Sequence, residues 1–292
     1  MKETDTHEDL FETALREEDL SRRTVILFRK MIRAHYLSEG RPMPWRKTKD
    51  PYRILVSEVM LQQTQVGRVL DKYREFLRAF PDFGSLAKAS LADVLRVWQG
   101  LGYNRRAIAL KKTAESVLRD HGGKLPLSPE ALVQFPGIGK YSAAAIYTFA
   151  TGSPSLFIET NIRRVYIHFF FRDRGDVRDE EILPLLERTL DVRDPREWYY
   201  ALMDYGVKLK AEVGNPNRRS SRYRKQTPFE GSARQTRGAV LRKLTGSSGM
   251  TKRQLAKTVP SSGADLDLLL AALVKEGFLE KRAGKYSIRS GK

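Results

Sequence analysis

The chain has no cysteine. Structural disulfides, zinc–thiolate sites and iron–sulfur clusters held by cysteine are therefore excluded. The four histidines are scattered along 292 residues, and none lies at metal-ligand spacing from another. Because zinc-type sites need clustered ligands, we expect neither a metal held by side chains nor any other cofactor.

Long apolar runs are also missing. No stretch reaches the roughly 20 apolar residues that a membrane-spanning helix needs. The N-terminal stretch MKETDTHEDLFETALREEDL is acidic and amphipathic, unlike a signal or transit peptide. Since 41% of the residues are hydrophobic, the chain can form one large domain or two modest ones. We expect an intracellular, cytoplasmic protein that has no membrane partner.

Negative charge is scarce relative to positive charge. The formal net charge is +18, and the sequence pI is about 10.0. Residues 205–292 hold 20 Lys or Arg against 6 Asp or Glu, whereas residues 1–19 are acidic. The charge favours a polyanionic partner, and nucleic acid is the commonest one. The alternative is a basic surface that only keeps the protein soluble.

Apolar residues recur at helical spacing from residue 8 to residue 213, and no alternating strand pattern interrupts them. The helices predicted after residue 50 are 53–64, 66–80, 84–87, 91–98, 104–121, 129–134, 139–151, 158–172, 178–190 and 195–213. We therefore predict an acidic N-terminal helical segment (1–24) and a mainly α, all-helical domain (25–211).

The remainder of the chain differs in composition. Residues 212–231 are polar, basic and poor in aliphatic side chains, which predicts a linker or an extended basic strap. Three short helices and a β-hairpin that turns at Ala283-Gly284 are predicted within residues 232–292. That plan is typical of a small α+β winged-helix domain. The alternative is a small structural cap, since winged helices also bind proteins.

Two acidic residues lie in apolar surroundings. Glu58 falls within RILVSEVML, and Glu159 follows SLFI. The turn FPGIGK places Gly137 and Gly139 before a helix rich in small residues, where free backbone N–H groups favour an anion. Each signal alone is weak, because an acid before a helix is most often an N-cap and most such turns are only turns. Together with the basic charge, they indicate acid-assisted bond cleavage on DNA.

Five motifs identify a family in their order and spacing. They are PMPWRKTKDPYRILVSEVMLQQTQV, WQGLGYNRRA, FPGIGKYSAAAIYTFATG, ETNIRRV and ALMDYG. Over roughly residues 25–210 the chain resembles the helix-hairpin-helix (HhH-GPD) DNA glycosylases, with the MutY-type adenine glycosylases as the nearest branch. The resemblance implies a two-lobed helical fold that binds a kinked duplex with one base flipped out of the stack.

The resemblance also implies residue roles. Glu58 matches the catalytic acid that protonates the flipped base and later helps to activate water, and an apolar setting favours that role by raising a carboxyl pKa. Glu159 falls at the family's catalytic aspartate, and Asn161 matches the companion of that acid. Tyr141 stands where bifunctional relatives carry a Schiff-base lysine, which implies a monofunctional enzyme because a phenol forms no imine. Lys140 lies one residue away and is expected to point elsewhere on the helix.

Other matching residues form two groups. Those implied at the base pocket or as a wedge into the duplex are Trp45, Arg46, Leu61, Gln62, Gln63 and Thr64. Those implied to bind DNA phosphates are Gly137, Gly139, Lys140, Tyr103 and Arg105. The family also implies a monovalent cation at the backbone of residues 135–139.

The chain departs from the family at three places. Glu159 is one methylene longer than aspartate, which moves the charge by roughly 1.5 Å, and errors of about 1 Å can cost about 10²-fold in rate. The family's iron–sulfur cluster after ALMDYG is absent, and a basic strap follows instead, with Arg218, Arg219, Arg222, Arg224 and Lys225. This strap is a candidate for replacing the cluster loop's DNA contact; a solvated linker is the alternative. The third departure is the winged-helix-like segment, which stands where adenine glycosylases carry a domain that inspects 8-oxoguanine.

Three functions fit these observations. The first is a monofunctional DNA glycosylase of base excision repair that removes adenine mispaired with guanine or 8-oxoguanine. The second is the same chemistry on thymine or uracil opposite guanine. The third is a DNA-binding lesion sensor or regulator that does not cleave. For each we expect a nucleoid-associated monomer whose partner is double-stranded DNA with a mismatch or lesion.

Overall fold

The computed structural model describes residues 6–260 and 265–290. Residues 1–5 of the predicted N-terminal segment, and 261–264 and 291–292 of the predicted winged-helix domain, lie outside the described residues. The helices are α1 His7–Glu18, α2 Arg22–Glu39, α3 Pro51–Leu61, α4 Val66–Ala79, α5 Phe83–Lys88, α6 Leu91–Trp98, α7 Arg105–Asp120, α8 Pro129–Leu132, α9 Lys140–Thr151, α10 Thr160–Phe170, α11 Asp179–Thr189, α12 Pro195–Glu212, α13 Ala233–Thr245, α14 Lys252–Thr258 and α15 Leu266–Lys275. The strands are β1 Met250–Thr251, β2 Leu279–Arg282 and β3 Lys285–Ile288, and 3-10 turns span Pro44–Lys47 and Pro216–Arg219.

The predicted mainly helical fold with a small C-terminal α+β part is confirmed. The three strands form one antiparallel sheet in the order β1-β3-β2. Predicted and observed helices differ mainly at their ends; the helix predicted over 53–64 is α3, which ends at Leu61. Asp50 starts α3 by accepting hydrogen bonds from two first-turn amides, and Pro51 occupies the first position. Past its C-terminal end, Gln63 has a left-handed backbone with φ 53°.

The chain forms two compact units. The first comprises residues up to 49 and 139–224, and the second comprises 50–138 and 225 onward. The predicted winged-helix segment thus shares a unit with α3, the helix that carries Glu58. Within the described residues, no helix combines the length and apolar character needed to cross a bilayer.

Aromatic side chains form the core of the first unit. The ring of Phe28 on α2 packs edge-on against Phe169 of α10 and Trp198 of α12, at centroid distances of 6.1 and 5.9 Å. Edge-to-face pairs of this kind add to the free energy gained by burying the rings. Gly206 lets α12 approach α10, because a Cβ at this position would lie 2.3 Å from the carbonyl oxygen of Asn161. The glycine of ALMDYG is therefore required by packing beside a candidate site residue.

The second unit packs α3, α4, α6 and α7 together, with α5 against α7. Phe76, Trp98, Val94 and Val117 are among its fully buried side chains. The C-terminal segment joins this unit through α13, which contacts α6. Arg105 at the start of α7 donates to both oxygens of Glu276, at 2.8 and 2.6 Å, and Arg237 of α13 binds the same carboxylate. These two arginines lower the pKa of Glu276 to about 2.

Asp204 is the charged centre of the first unit. Its buried carboxylate accepts two hydrogen bonds from Arg46, at 2.7 and 2.8 Å, and one from the backbone N–H of Arg41 at 2.9 Å. Arg46 also lies over the ring of Tyr200, with Cζ 4.7 Å from the centroid. The aspartate of ALMDYG therefore anchors the PWR segment through Arg46.

Replacing Asp204 with alanine should reduce the free energy of unfolding by about 3–5 kcal/mol, because it leaves the buried guanidinium of Arg46 without its counter-charge. Denaturant unfolding of the two proteins measures the difference. The matched control is Asp71→Ala, which removes an exposed i,i+3 pair with Arg74 and should cost under about 1 kcal/mol. Equal losses in the two variants would contradict the structural role of Asp204.

Candidate active site

Glu58 lies on α3 in the second unit and is half-buried. Leu61 and Gln62 follow it at i+3 and i+4, so the three side chains share one side of the helix, and all three are half-buried. Val56, Val59 and Met60 lie on the other sides of the same helix and are buried, as is Leu55 one turn before Glu58. The helix period thus places a carboxyl beside two of the predicted base-pocket residues, at the margin of an apolar core.

Arg106 holds the C-terminal end of α3. It is buried on α7, and its two terminal nitrogens donate six hydrogen bonds of 2.6–3.2 Å. The acceptors are the carbonyl oxygens of Val59, Met60, Gln62, Leu101 and Gly102 and the hydroxyl oxygen of Thr64. Carbonyls in the last turn of a helix have no intrahelical partner, so this guanidinium satisfies groups that would otherwise be left unpaired. Burial lowers the pKa of Arg106 to about 10.

The segment after α3 carries the predicted duplex wedge. Gln62 donates from its amide to the carbonyl oxygen of Gly137 at 3.2 Å, while Gln63 is exposed. Gly137 has φ 77°, and a Cβ here would lie 3.0 Å from the Cβ of Ala109, so both conformation and space favour glycine. The structure therefore brings Gln62 and Gly137 together within the second unit.

Tyr103 lies on the α6–α7 loop, and Arg105 is the first residue of α7. Tyr103 has a left-handed backbone with φ 46°, and its ring lies 5.5 Å from the guanidinium carbon of Arg106. Its hydroxyl accepts a hydrogen bond from Gln226. Arg105 is 74% exposed despite its ion pair with Glu276. Both residues are at the surface; Tyr103 contacts the strap through Gln226, and Arg105 contacts the C-terminal segment through Glu276.

Glu159 is the N-cap of α10 in the first unit. One carboxylate oxygen accepts from the backbone N–H groups of Asn161 and Ile162, at 2.6 and 2.8 Å, and the other accepts from the amide of Asn161 at 3.1 Å. Arg164 donates to the amide oxygen of Asn161 at 2.7 Å and to the carbonyl oxygen of Gly206 at 2.5 Å. Glu159 and its predicted companion Asn161 therefore form one fixed group.

The pKa of Glu159 is raised, because burial disfavours the carboxylate more than its hydrogen bonds and the nearby arginines favour it. The hydrogen bonds from the start of α10 and the positive charge of Arg164 oppose this shift. The residue as a whole remains half-buried. Glu159 is thus a carboxyl group whose ionisation shifts toward higher pH.

Tyr141 lies in the first turn of α9 and is half-buried, whereas Lys140 beside it is exposed. Burial, and then the negative charge of Asp179, raise the pKa of the Tyr141 phenol. Asp179 is fully buried and binds Arg163 through two hydrogen bonds of 2.6 and 2.8 Å. Tyr141 is therefore a neutral phenol near an ion pair.

Gly139 and Trp45 complete the predicted set. Gly139 caps α9 without a side chain and is exposed, as an amide that binds a phosphate needs to be. Trp45 is buried, and Arg46 binds Asp204 in the first unit. The base-pocket role of Trp45 and Arg46 stays a prediction.

The predicted basic strap is ordered at its start. Arg219 donates to the carbonyl oxygens of Phe171 and Ile167, at 2.6 and 3.2 Å, and so caps the C-terminal end of α10. Arg222 pairs with Asp179 at 3.3 Å. The other strap cations, Arg218, Arg224 and Lys225, are exposed. The strap binds the protein through two of its five cations, and its contact with DNA stays a prediction.

Residues 213–222 contain no thiol, so they do not fit the family's iron–sulfur cluster. Among the described residues, one group could offer ligands to a metal ion: Glu8, Glu12 and His168, whose ligand atoms lie within 4.8 Å of one another. Cations already bind these carboxylates, since Lys208 lies 3.3 Å from Glu8 and Arg172 pairs with Glu12. The absence of a side-chain metal site therefore stays a prediction.

Three buried residues beside the candidate site were not among those predicted from the sequence: Arg106, Arg164 and Asp179. A signal for Arg106 was available, because it shares the apolar side of α7 with Leu110, Thr113 and Val117 at helical spacing. A charged residue in such a register requires polar partners in the core. The backbone carbonyls it binds could not be identified from the pattern.

The central region of the chain matches one family model. Residues 56–188 match the HhH-GPD superfamily base excision DNA repair protein model. Among curated proteins, the adenine DNA glycosylase of Mycobacterium tuberculosis is 44% identical over 133 residues, which is 45% of this chain and 44% of that protein. That of Buchnera aphidicola is 35% identical over 189 residues, covering 63% of this chain and 53% of that protein. The chain spans about half the length of these adenine glycosylases.

Similar proteins also include thymine glycosylases. The thymine/uracil-DNA glycosylase of Pyrobaculum aerophilum is 35% identical over 190 residues, covering 62% of this chain and 82% of that protein. The structure of a thermostable thymine-DNA glycosylase is 27% identical and covers 66% of this chain and 90% of that chain, with a TM-score of 0.59. A trapped endonuclease III–DNA covalent intermediate, 15% identical, covers 65% of this chain and 87% of that chain, with a TM-score of 0.56; this likeness shows the fold alone.

Replacing Arg106 with methionine should lower the free energy of unfolding by about 3 kcal/mol, because several buried carbonyls lose their donor. Amide hydrogen exchange should also accelerate in residues 59–65. The control is Arg119→Met on the same helix, whose guanidinium side chain is 69% exposed. Equal stability and exchange in the two variants would show that Arg106 does not hold the end of α3.

Proposed function

The chain belongs to the HhH-GPD superfamily of base excision DNA repair proteins, and we propose that it is a monofunctional DNA glycosylase that excises mispaired adenine. The proposed substrate is adenine opposite guanine or 8-oxoguanine, in duplex DNA bound by a monomer in the cytoplasm. The observation that carries the proposal is Glu58, a half-buried carboxyl on the same side of α3 as Leu61 and Gln62. The adenine glycosylases among the similar proteins support this choice of base.

Glu58 supplies the proton in this mechanism. A protonated carboxyl at the edge of an apolar core donates to a ring nitrogen of the flipped base, so that the base leaves as a neutral molecule when the N-glycosidic bond breaks. The resulting carboxylate then accepts a proton from the attacking water, which yields the abasic site. Arg106 supports this step indirectly by fixing the end of the helix on which Glu58 lies.

Glu159 and Asn161 act on the sugar. Cleavage of the N-glycosidic bond leaves positive charge on the sugar, and an ionised carboxylate stabilises such a transition state. The hydrogen bonds from Asn161 and Ile162 orient Glu159 before substrate binds, so less reorganisation is needed during the reaction. The longer side chain is accommodated because Glu159 folds back to cap its own helix.

Tyr141 carries the monofunctional part of the proposal. A phenol forms no imine with the abasic sugar, so strand cleavage through a Schiff base requires another amine. Lys140 is exposed at the N-terminus of α9, one residue from Tyr141.

Removal of thymine or uracil opposite guanine is the second candidate. It is favoured by the thymine/uracil-DNA glycosylase, of whose length this chain covers 82%, and by the thermostable thymine-DNA glycosylase. The same roles of Glu58, Glu159 and Asn161 serve this reaction, so only the base differs.

A panel of labelled duplexes tests the proposal. The protein is incubated in single turnover with A opposite 8-oxoguanine, A·G, A·C, T·G and U·G, and products are resolved with and without alkali. We expect alkali-dependent cleavage of A opposite 8-oxoguanine and A·G. Glu58→Gln should reduce that rate by at least about 10²-fold, with DNA affinity kept within a few-fold, because a general acid contributes about 10²–10⁴-fold.

Other outcomes are equally informative. Cleavage confined to T·G and U·G would assign the second candidate function. Strand nicking without alkali would contradict the monofunctional assignment. Binding of every duplex without cleavage would favour a non-cleaving lesion sensor, and loss of folding in Glu58→Gln would make that residue structural.

The pKa of Glu159 predicts the acidic side of the pH–rate profile. Its carboxylate is the active form, so the single-turnover rate should fall as pH decreases through the raised pKa. A glutamate with the ordinary pKa of about 4.3 would give this fall at a lower pH. Protonation of an acid whose pKa is raised by folding stabilises the folded state, so Glu159 does not cause unfolding over this range. Circular dichroism checks that the fold persists.

Glu159→Gln should have a lower single-turnover rate, and that rate should no longer fall as pH decreases over this range. Glu187→Gln, which changes an exposed glutamate of the same unit, should retain both the wild-type rate and its fall at low pH. An unchanged profile in Glu159→Gln would exclude Glu159 as the titrating group.

A further inference from the structure

The C-terminal segment carries basic side chains at one end of its sheet. In the sheet register, Arg282 of β2 pairs with Lys285 of β3, and Lys285 pairs with Thr251 of β1. Neighbouring strands lie about 4.8 Å apart, so these positions are adjacent. Since α14 begins directly after Thr251, Lys252 and Arg253 project from the same end. We call the five basic residues at this end the basic edge: Lys252, Arg253, Lys281, Arg282 and Lys285.

Every member of the basic edge is exposed. Two members have acidic partners: Arg282 lies 2.9 Å from Glu280, and Lys252 binds Asp267. Both members of the Lys252–Asp267 pair are exposed, and Arg282 is 73% exposed although Glu280 is half-buried. Ion pairs of exposed side chains contribute little to stability, so a phosphate can replace Asp267 at Lys252 at small cost. Over the described residues 232–260 and 265–290, basic side chains outnumber acidic ones by 12 to 4.

The helix in the recognition position is unsuited to reading bases. The order α13-β1-α14-α15-β2-β3 with a β1-β3-β2 sheet is that of a winged helix, in which α15 would enter a DNA groove. Its sequence, LDLLLAALVK, offers only one aspartate and one lysine as polar side chains, and Leu268 is 71% exposed. Base edges are read chiefly by charged and amide side chains, so this mostly aliphatic helix offers little for sequence readout.

We propose that the basic edge is a second DNA-binding surface, which binds the phosphates of duplex DNA outside the lesion without reading its sequence. The C-terminal segment shares a compact unit with α3, and Glu276 links it to Arg105. A duplex bound at the basic edge is therefore held in a fixed relation to the helix that carries Glu58. The proposal concerns undamaged duplex and stands whether or not the chain excises a base.

The test is the affinity of the full chain for undamaged duplexes, measured by fluorescence anisotropy over a series of salt concentrations. The variant is Arg253→Ala/Lys281→Ala/Lys285→Ala. The control, Lys112→Ala/Arg119→Ala/Lys124→Ala, removes the same charge from exposed sites toward the other end of α7 from Arg105. Affinity for an undamaged duplex of about 30 bp should fall about tenfold in the variant and under about twofold in the control.

The salt dependence identifies the contacts. The slope of log affinity against log salt should decrease in magnitude by about 2–3 in the variant, since each phosphate contact contributes about 0.9. Lys281→Arg/Lys285→Arg keeps the charge and should retain wild-type affinity.

Equal losses in the variant and the control would overturn the proposal, since that result reflects only net charge. Wild-type affinity in the variant would also overturn it, and would leave the exposed Leu268 surface as the candidate site for a protein partner. Because no cleavage is measured, failure of the glycosylase proposal would leave these results unchanged.

Discussion

The structure depends first on the buried guanidinium of Arg106. A helix that ends inside a protein leaves carbonyl groups without partners, and α3 ends immediately before the glutamines that are predicted to enter the duplex. Arg106 donates hydrogen bonds to the carbonyl oxygens of Val59, Met60 and Gln62 and to those of the α6–α7 loop. One side chain therefore fixes the end of the Glu58 helix together with the start of the predicted wedge, and burial lowers its pKa to about 10.

The two candidate acids are held in different ways. Glu58 lies on one side of a helix at the margin of an apolar core, whereas Glu159 folds back onto the N-terminus of the next helix in its own unit. A carboxyl that donates a proton benefits from an apolar margin, and one that stays ionised benefits from backbone donors. The chemistry proposed for each residue therefore matches its local surroundings, although burial still raises the pKa of Glu159.

Much of the fold and the superfamily could be predicted from the sequence. The helices, the hairpin at Ala283-Gly284 and the α+β plan of the C-terminal segment follow from periodicity and turn residues, and the motifs identify the superfamily. The end of α3 was predicted at residue 64, because Gln62-Gln63-Thr64 contains no glycine or proline to stop a helix. The left-handed backbone of Gln63 ends the helix at Leu61 instead, and a glutamine gives no sequence signal for that conformation. Arg106, Arg164 and Gly206 act on backbone groups far along the chain, and a sequence pattern does not show which carbonyls face one another.

The central claim is that Glu58 delivers the proton that lets the base leave. It is tested most directly by comparing wild type and Glu58→Gln on two duplexes that differ only in the target base: adenine, and a purine methylated at N7, which is already cationic. The account predicts a rate ratio of about 10²–10⁴ on adenine and a much smaller ratio on the methylated purine, because a cationic base needs no proton and only the proton transfer from the attacking water still involves Glu58. The same large ratio on both substrates would contradict it.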